Sequence, residues 1–293
     1  MHHASTDRPT PLLEKLYRAT TNPVRLLPGF VIIGTQRGGT TSLYNYLAEH
    51  PSIGVASIKE VHFFDTPHYK QGLAWYRGHF PPFIQKYYTR HAQKQAFITG
   101  EASPYYLFHP FAARRMANTL PHVKLIVMLR NPVDRAYSHF YHELDGGHET
   151  LSSFEEAIEC EGVRLAGERE KMQADEYYAS YNHRHFSYLA RGMYADQLQS
   201  WMSFFPKEQF LLLKSEDFYA DTAAVFKQTL AFLNLPDLDS SGKKAEFKQY
   251  NTTRPPRMHP ATRKRLIDYF APHNARLDEL LGSDLGWDDA LFP

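Results

Sequence analysis

Short apolar runs alternate with amphipathic stretches along the chain. Phe30-Val31-Ile32-Ile33 runs into Gly34, Lys124–Leu129 is the strongest apolar run, and Gln209–Lys214 repeats the pattern later. Short apolar runs of this kind read as strands buried on both faces. Ala96–Thr99 reads as a further short strand. Thr40–Glu49, Pro110–Leu120, Val133–Glu143 and Thr222–Leu233 read as helices, and Pro51 stops the first. Asn131 stands where a helix cap belongs, with Pro132 at the first helical position. Ser187–Phe205 reads as one long amphipathic helix, and Pro260–Leu281 as one or two helices interrupted at Pro272. Residues 1–28 carry Pro9, Pro11, Pro23 and Pro28 and read as an arm with one short helix near Leu12–Ala19. Strands alternating with helices predict one α/β domain over 29–293, a parallel sheet flanked by helices on both faces with right-handed crossovers. Residues 144–186 break the rhythm. They are polar and Tyr-rich (Tyr177, Tyr178, Tyr181), with a helix over Ser153–Glu161, and read as a lid or acceptor-side excursion.

Composition narrows the function classes. Hydrophobic residues make up 43% and charged residues 22% of the 293, which fits a folded globular chain. Lys and Arg number 33 against 32 Asp and Glu, so the net charge of +1 gives no global grip on nucleic acid or anionic membrane; local basic pockets stay open. Cys160 is the one cysteine, so no intrachain disulfide forms, and it reads as a small helix residue rather than a nucleophile. No apolar run reaches membrane-spanning length, and Met1–Pro11 lacks an apolar signal core, which makes the cytoplasm the expected location. Neither His139/His142 nor His183/His185 comes with a recognisable third ligand, so no metal is expected.

Gly34-Thr35-Gln36-Arg37-Gly38-Gly39-Thr40-Thr41-Ser42 lies between a predicted strand and a predicted helix. Such a loop presents backbone N–H groups at a helix N-terminus, a ready phosphate site. The Gly34-x4-Gly39 spacing matches the nucleoside-triphosphate P-loop, but Thr40-Thr41 stands where that motif has Lys-Ser/Thr. The cation lies inside the loop instead, as Arg37. The strongest strand ends in Arg130, not in the acid that helps hold Mg²⁺ in P-loop triphosphatases. The two departures together predict a nucleotide with phosphates in two places and no required metal.

Four segments resemble the sulfotransferases that use 3′-phosphoadenylyl sulfate (PAPS), in particular the branch with heparan sulfate sulfotransferases and bacterial relatives. They are Gln36–Thr41, Lys59-Glu60-Val61-His62-Phe63-Phe64-Asp65, Gly100-Glu101-Ala102-Ser103-Pro104-Tyr105-Tyr106 and Leu129–Ser138. The resemblance implies a P-loop-type sulfotransferase fold with PAPS as donor and PAP as product. It implies that Arg37 and the amides of Gly38, Gly39, Thr40, Thr41 and Ser42 hold the phosphosulfate, and that Arg130 and Ser138 hold the 3′-phosphate. Glu60 becomes the general base, and His62 and Asp65 line the acceptor site. Tyr194 and Arg257 fall at positions close to the donor. An extended 59–64 would put Glu60 and His62 on one face, and a dry pocket would raise the Glu60 pKa. Relatives carry Lys where this chain has Arg37, and heparan enzymes carry Lys where it has Ala102. Arginine stays charged, so Arg37 is expected to act electrostatically, leaving the leaving-group acid open. The expected acceptor is a hydroxyl, rather than an amine, on a glycan, lipid or natural product. The alternatives are a P-loop kinase or nucleotide hydrolase, and a non-catalytic module that binds PAP or a sulfated ligand.

Overall fold

A computed structural model describes residues 12–92, 94–237, 247–248 and 256–287. Five parallel strands form one sheet: β1 (Phe30–Gly34), β2 (Ile53–Val55), β3 (Ile98–Ala102), β4 (Lys124–Leu129) and β5 (Phe210–Lys214), in the order β2-β3-β1-β4-β5. β1 is central, and every one of its residues is buried. Its alternation divides the core. Val31 and Ile33 face one layer with Leu125 and Val127, while Phe30 and Ile32 face the other with Ile126 and Met128. Helices Ala112–Thr119 and Tyr194–Met202 cover the first face through Met116, Leu198 and Trp201. Helices Thr40–Ala48 and Thr222–Phe232 cover the second through Leu43, Leu47, Phe226 and Leu230. This is the helix-flanked parallel sheet predicted from the alternation.

Gly100 pairs with Phe30, and a Cβ there would lie 2.4 Å from the Phe30 ring. Glycine at that point lets the buried ring lie flat against β3. The strand itself lies two to three residues later than the expected Ala96–Thr99, because pairing with β1 begins at Gly100. β2 went unpredicted: three residues around Gly54 are too few to show a period.

The expected single helix over Ser187–Phe205 is broken. A 3₁₀ turn (Ala190–Gly192) and Met193, non-helical at φ −81° and ψ 72°, precede Tyr194–Met202. The break frees Arg191 to turn inward. By contrast, Pro260–Leu281 is one helix through Pro272. The 144–186 excursion is mostly helical, with Phe154–Leu165, Glu168–Ala174 and Tyr181–His185. Its first helix packs through Phe154, Ala157 and Ile158 on Phe140 of helix Pro132–Asp145, forming a third apolar cluster.

Candidate active site

In an open parallel sheet, ligands bind beyond the carboxyl ends of the strands. Three of the motif segments emerge there. The loop after β1 turns on Arg37, with φ of 69°, and on Gly39, with φ of 95°. Gly39 is the N-cap of Thr40–Ala48 and offers no side chain, so the first amides of that helix keep their donors free for a ligand. A Cβ on Gly38 would lie 2.6 Å from the Met128 carbonyl, so only glycine lets the loop sit this close to β4. Asn131 caps helix Pro132–Asp145 by accepting from the amides of Val133 (3.0 Å) and Asp134 (3.4 Å), fixing the chain just after Arg130.

The loop after β1 and the segment after β4 meet. Arg37 Nε donates to Ser138 Oγ at 3.0 Å, and Arg130 donates to the Arg37 carbonyl at 3.0 Å. Burial, then the nearby Arg130 charge, lowers the Arg37 pKa. Among the described residues neither guanidinium forms an ion pair. Two adjacent arginines without a counter-ion fit an anion, and they fit one carrying charge in more than one place. Tyr194 is buried and donates to the Arg130 carbonyl at 2.8 Å, so it braces Arg130. Arg257 is exposed and comes after the break in the described residues at 249–255. Arg135 is fully buried and donates to the Tyr188 carbonyl, so it does not face a phosphate.

Residues 59–65 form the facing wall. They are not an extended strand: His62 has a φ of 50°. The kink keeps Glu60 and His62 together by bending the backbone rather than by strand alternation. His62 Nε2 lies 3.1 Å from Glu60 Oε2 and Nδ1 lies 2.7 Å from Asp65 Oδ2. Asp65 does not line the cleft as expected. Its carboxylate is buried behind His62 and orients the ring. Burial alone would lower the His62 pKa, but Asp65 and Glu60 together raise it to about 10. The Glu60 expectation reverses. Burial pushes its pKa up, yet the His62 hydrogen bond and the Lys59 charge outweigh that and hold it at about 2. Glu60 is therefore a carboxylate throughout the neutral range.

Three contributors were not singled out from the sequence. Lys59 Nζ donates to Thr41 Oγ1 at 2.6 Å and to Glu60 Oε1 at 3.2 Å, joining the loop to Glu60. Arg184 lies 3.0 Å from His62 Nε2, beside the Tyr105 ring. Arg191 is buried, grips the carbonyls of His183 and Arg184, and donates to Gln36 Oε1 in the loop. Lys59 stood inside a recognised motif. Arg184 lies more than a hundred residues from His62 and Arg191 more than a hundred from Gln36, and no local pattern marks them.

These walls enclose a cleft of about 180 Å³ lined by Glu60, His62, Tyr105, Arg184, Arg191 and Gln36, together with His142, Glu143, His148 and His185. The last three, without His142, are the described residues that could hold a metal, their ligand atoms within 4.8 Å of one another. The Glu143 carboxylate there already takes His139 Nε2 (3.0 Å) and His185 Nδ1 (2.7 Å). Beneath the site, buried Glu101 accepts from Tyr76 (2.6 Å), Ser103 (2.7 Å) and Tyr106 (3.2 Å). Ser103 and Tyr106 in turn accept from the amides of His62 and Phe63, so this network sets the height of the 59–65 wall.

The sulfotransferase domain family model matches residues 27–265. The chain belongs to the sulfotransferase family. A sulfotransferase from Alicyclobacillus acidocaldarius has the same fold, with 33% identity and a TM-score of 0.62 over 89% of this chain and 99% of that one. The membrane-associated sulfotransferase kil1 of Dictyostelium discoideum is 28% identical over 89% of this chain and 66% of its own length. Mouse heparan sulfate glucosamine 3-O-sulfotransferase 6 is 28% identical over 90% of this chain and 75% of its own. Human bifunctional heparan sulfate N-deacetylase/N-sulfotransferase 3 is 29% identical over 87% of this chain, which spans 30% of that enzyme. The sulfotransferase is thus an α/β transferase, and the form of its β1 loop is consistent with that family.

Proposed function

We propose that this sulfotransferase moves a sulfuryl group from PAPS to a hydroxyl of a glycan-type acceptor. The observation that carries the donor is the Arg37–Arg130 pair, adjacent beyond the ends of β1 and β4 and, among the described residues, in no ion pair with a carboxylate. In this reading Arg130 and Ser138 hold the 3′-phosphate, and the amides from Gly39 to Ser42 hold the 5′-phosphosulfate, the Gly38 amide being taken by the Thr35 carbonyl at 2.9 Å. Glu60 takes the proton from the acceptor hydroxyl. The acceptor oxygen bonds to sulfur as the bond from sulfur to the bridging oxygen breaks, and the electron pair stays on the departing phosphate. Lys59 supplies the ammonium that the loop lacks, reaching from Thr41 toward both the sulfuryl group and the base. Positioning and charge stabilisation carry the rate. Support for a glycan comes from the relatives named for heparan sulfate, and from a cleft walled by Arg184, Tyr105 and several imidazoles.

Release of PAP from PAPS with a panel of hydroxyl-bearing glycans tests the reading. Glu60→Gln should bind PAP as the parent does and lose about 10²–10⁴ in kcat. Arg130→Ala should weaken PAP far more than adenosine 5′-phosphate, which lacks the 3′-phosphate. A folded protein without affinity for PAP sinks the donor assignment, and full turnover by Glu60→Gln removes Glu60 as base.

A further inference from the structure

Positions 66–100 hold no Asp or Glu, yet carry Lys70, Arg77, Lys86, Arg90 and Lys94 in a chain of net charge +1. Within this acid-free stretch lies helix Phe83–His91, and it is built inside out. Thr89 is its one buried residue, while Phe83 is 55%, Ile84 67%, Tyr87 52% and Tyr88 60% exposed. A second apolar face adjoins it. Leu13, Leu16 and Tyr17, at the i, i+3, i+4 spacing of one helix face, are 81%, 53% and 54% exposed on Leu12–Thr21. The Arg25 guanidinium packs on the Tyr17 ring at 5.0 Å and donates to the Phe80 carbonyl at 2.7 Å, and the Arg25 backbone bridges to Pro82. The two helices are therefore tied together beside Pro82, the residue before Phe83.

Apolar residues exposed in one place mark an interaction surface. The charge decides which kind. A second copy of the chain would bring two acid-free basic segments against each other. A nucleic acid or other hydrophilic polyanion would satisfy the cations but leave Ile84, Leu13 and Leu16 in water. A lipid surface satisfies both, taking rings and aliphatic chains into the interfacial layer and cations onto the headgroups.

We propose that helices Leu12–Thr21 and Phe83–His91 dock the protein on an anionic phospholipid membrane, with Phe83, Ile84, Tyr87 and Tyr88 in the interface and Lys86, Arg90 and Lys94 over the headgroups. The geometry also sets the orientation. Residues 79–82 run back along the free edge of β2, from the bond of Ser57 N to the His79 carbonyl to that of Leu26 N to the Pro81 carbonyl. The docking helix thus starts at the amino ends of the strands, whereas the cleft opens at their carboxyl ends. A docked enzyme holds its cleft away from the bilayer, toward acceptors that stand off the membrane or arrive from solution.

Co-flotation of the full chain with vesicles tests this independently of sulfuryl transfer. Vesicles of phosphatidylcholine alone are compared with vesicles that also contain phosphatidylglycerol. The parent should float with the anionic vesicles, less so at high salt. Phe83→Ser/Ile84→Ser/Tyr88→Ser and Lys86→Glu/Arg90→Glu should each bind about tenfold more weakly or worse. Unchanged melting and PAP affinity in both variants show that the fold and donor site are intact. Failure of the parent to float, or equal flotation of the variants, overturns the proposal. So does a dimer on gel filtration that the serine variant dissociates, because it assigns the surface to a second copy.

Discussion

The imidazole of His62 meets Asp65 through one nitrogen and both Glu60 and Arg184 through the other. A guanidinium can only donate, so a protonated Nε2 serves Glu60 and leaves Arg184 free to turn toward an acceptor. Asp65 keeps that proton in place: with it, the His62 pKa stands at about 10. Asp65→Asn removes the principal raising charge, and the His62 pKa falls. The alkaline limb of the kcat profile should then move from near pH 10 down by a unit or more, while PAP affinity stays. An unmoved limb removes His62 as the group that titrates there. Glu101 titrates in the opposite sense from Glu60. Full burial raises its pKa to about 7 against its three hydroxyl partners. Its contribution to stability is complete below the unfolded value near 4.5 and is lost as pH rises through 7, up to about 3 kcal/mol. The stability gap between the parent and Glu101→Gln should therefore change between pH 5 and pH 8 in urea denaturation. A constant gap contradicts the assignment.

At the scale of elements, the motifs depend on how helices begin. Asn131 spends its side chain on two orphan amides, and the Arg130 backbone is held between that cap and the Tyr194 hydroxyl. Asn131→Ala should cost about 1 kcal/mol in chemical denaturation and weaken PAP more than it weakens adenosine 5′-phosphate. Gly100→Ala forces a methyl group into the Phe30 ring and should cost about 1–3 kcal/mol. What was legible in the sequence follows the same division. β1 and β4 announce themselves because strands buried on both faces are contiguous apolar runs, and β5 because its half-buried face is apolar as well. The loop after β1 and Arg130 announce themselves because their chemistry is local to a few residues. β2 does not, since three residues around a glycine carry no period. The break at Met193 does not either, because the apolar spacing continues across it. Asp65 was placed in the right neighbourhood and given the wrong task. Sequence spacing sets its distance from His62, but the backbone kink at His62 decides that it lies behind the ring. Arg184 and Arg191 reach the site through tertiary packing of a segment that reads only as polar.

For the whole molecule, acid should act first through the carboxylates held low. Glu60 and Glu149, each near 2, and Asp65 contribute stability above their unfolded values near 4, and it is lost as pH falls toward 2. Glu149 is held low by Arg164 at 2.6 Å and by the Tyr188 hydroxyl, which tie the helices of the 144–186 excursion to the domain. Glu149→Gln should leave less stability to lose between pH 4 and pH 2, read as a shallower fall of melting temperature. Equal falls would show that the excursion does not contribute to acid unfolding.

Arg191 reaches Gln36 in the loop after β1 with one arm of its guanidinium and the carbonyls of His183 and Arg184 with the other. The two halves of the cleft are thereby riveted through a single buried plane. Slack in the rivet is felt on the side where no substitution was made. Gln36→Ala lies in the loop after β1, yet its signature should be a raised KM for the acceptor. Double-mutant coupling with Arg184→Ala, absent if the halves move independently, measures how stiff that joint is.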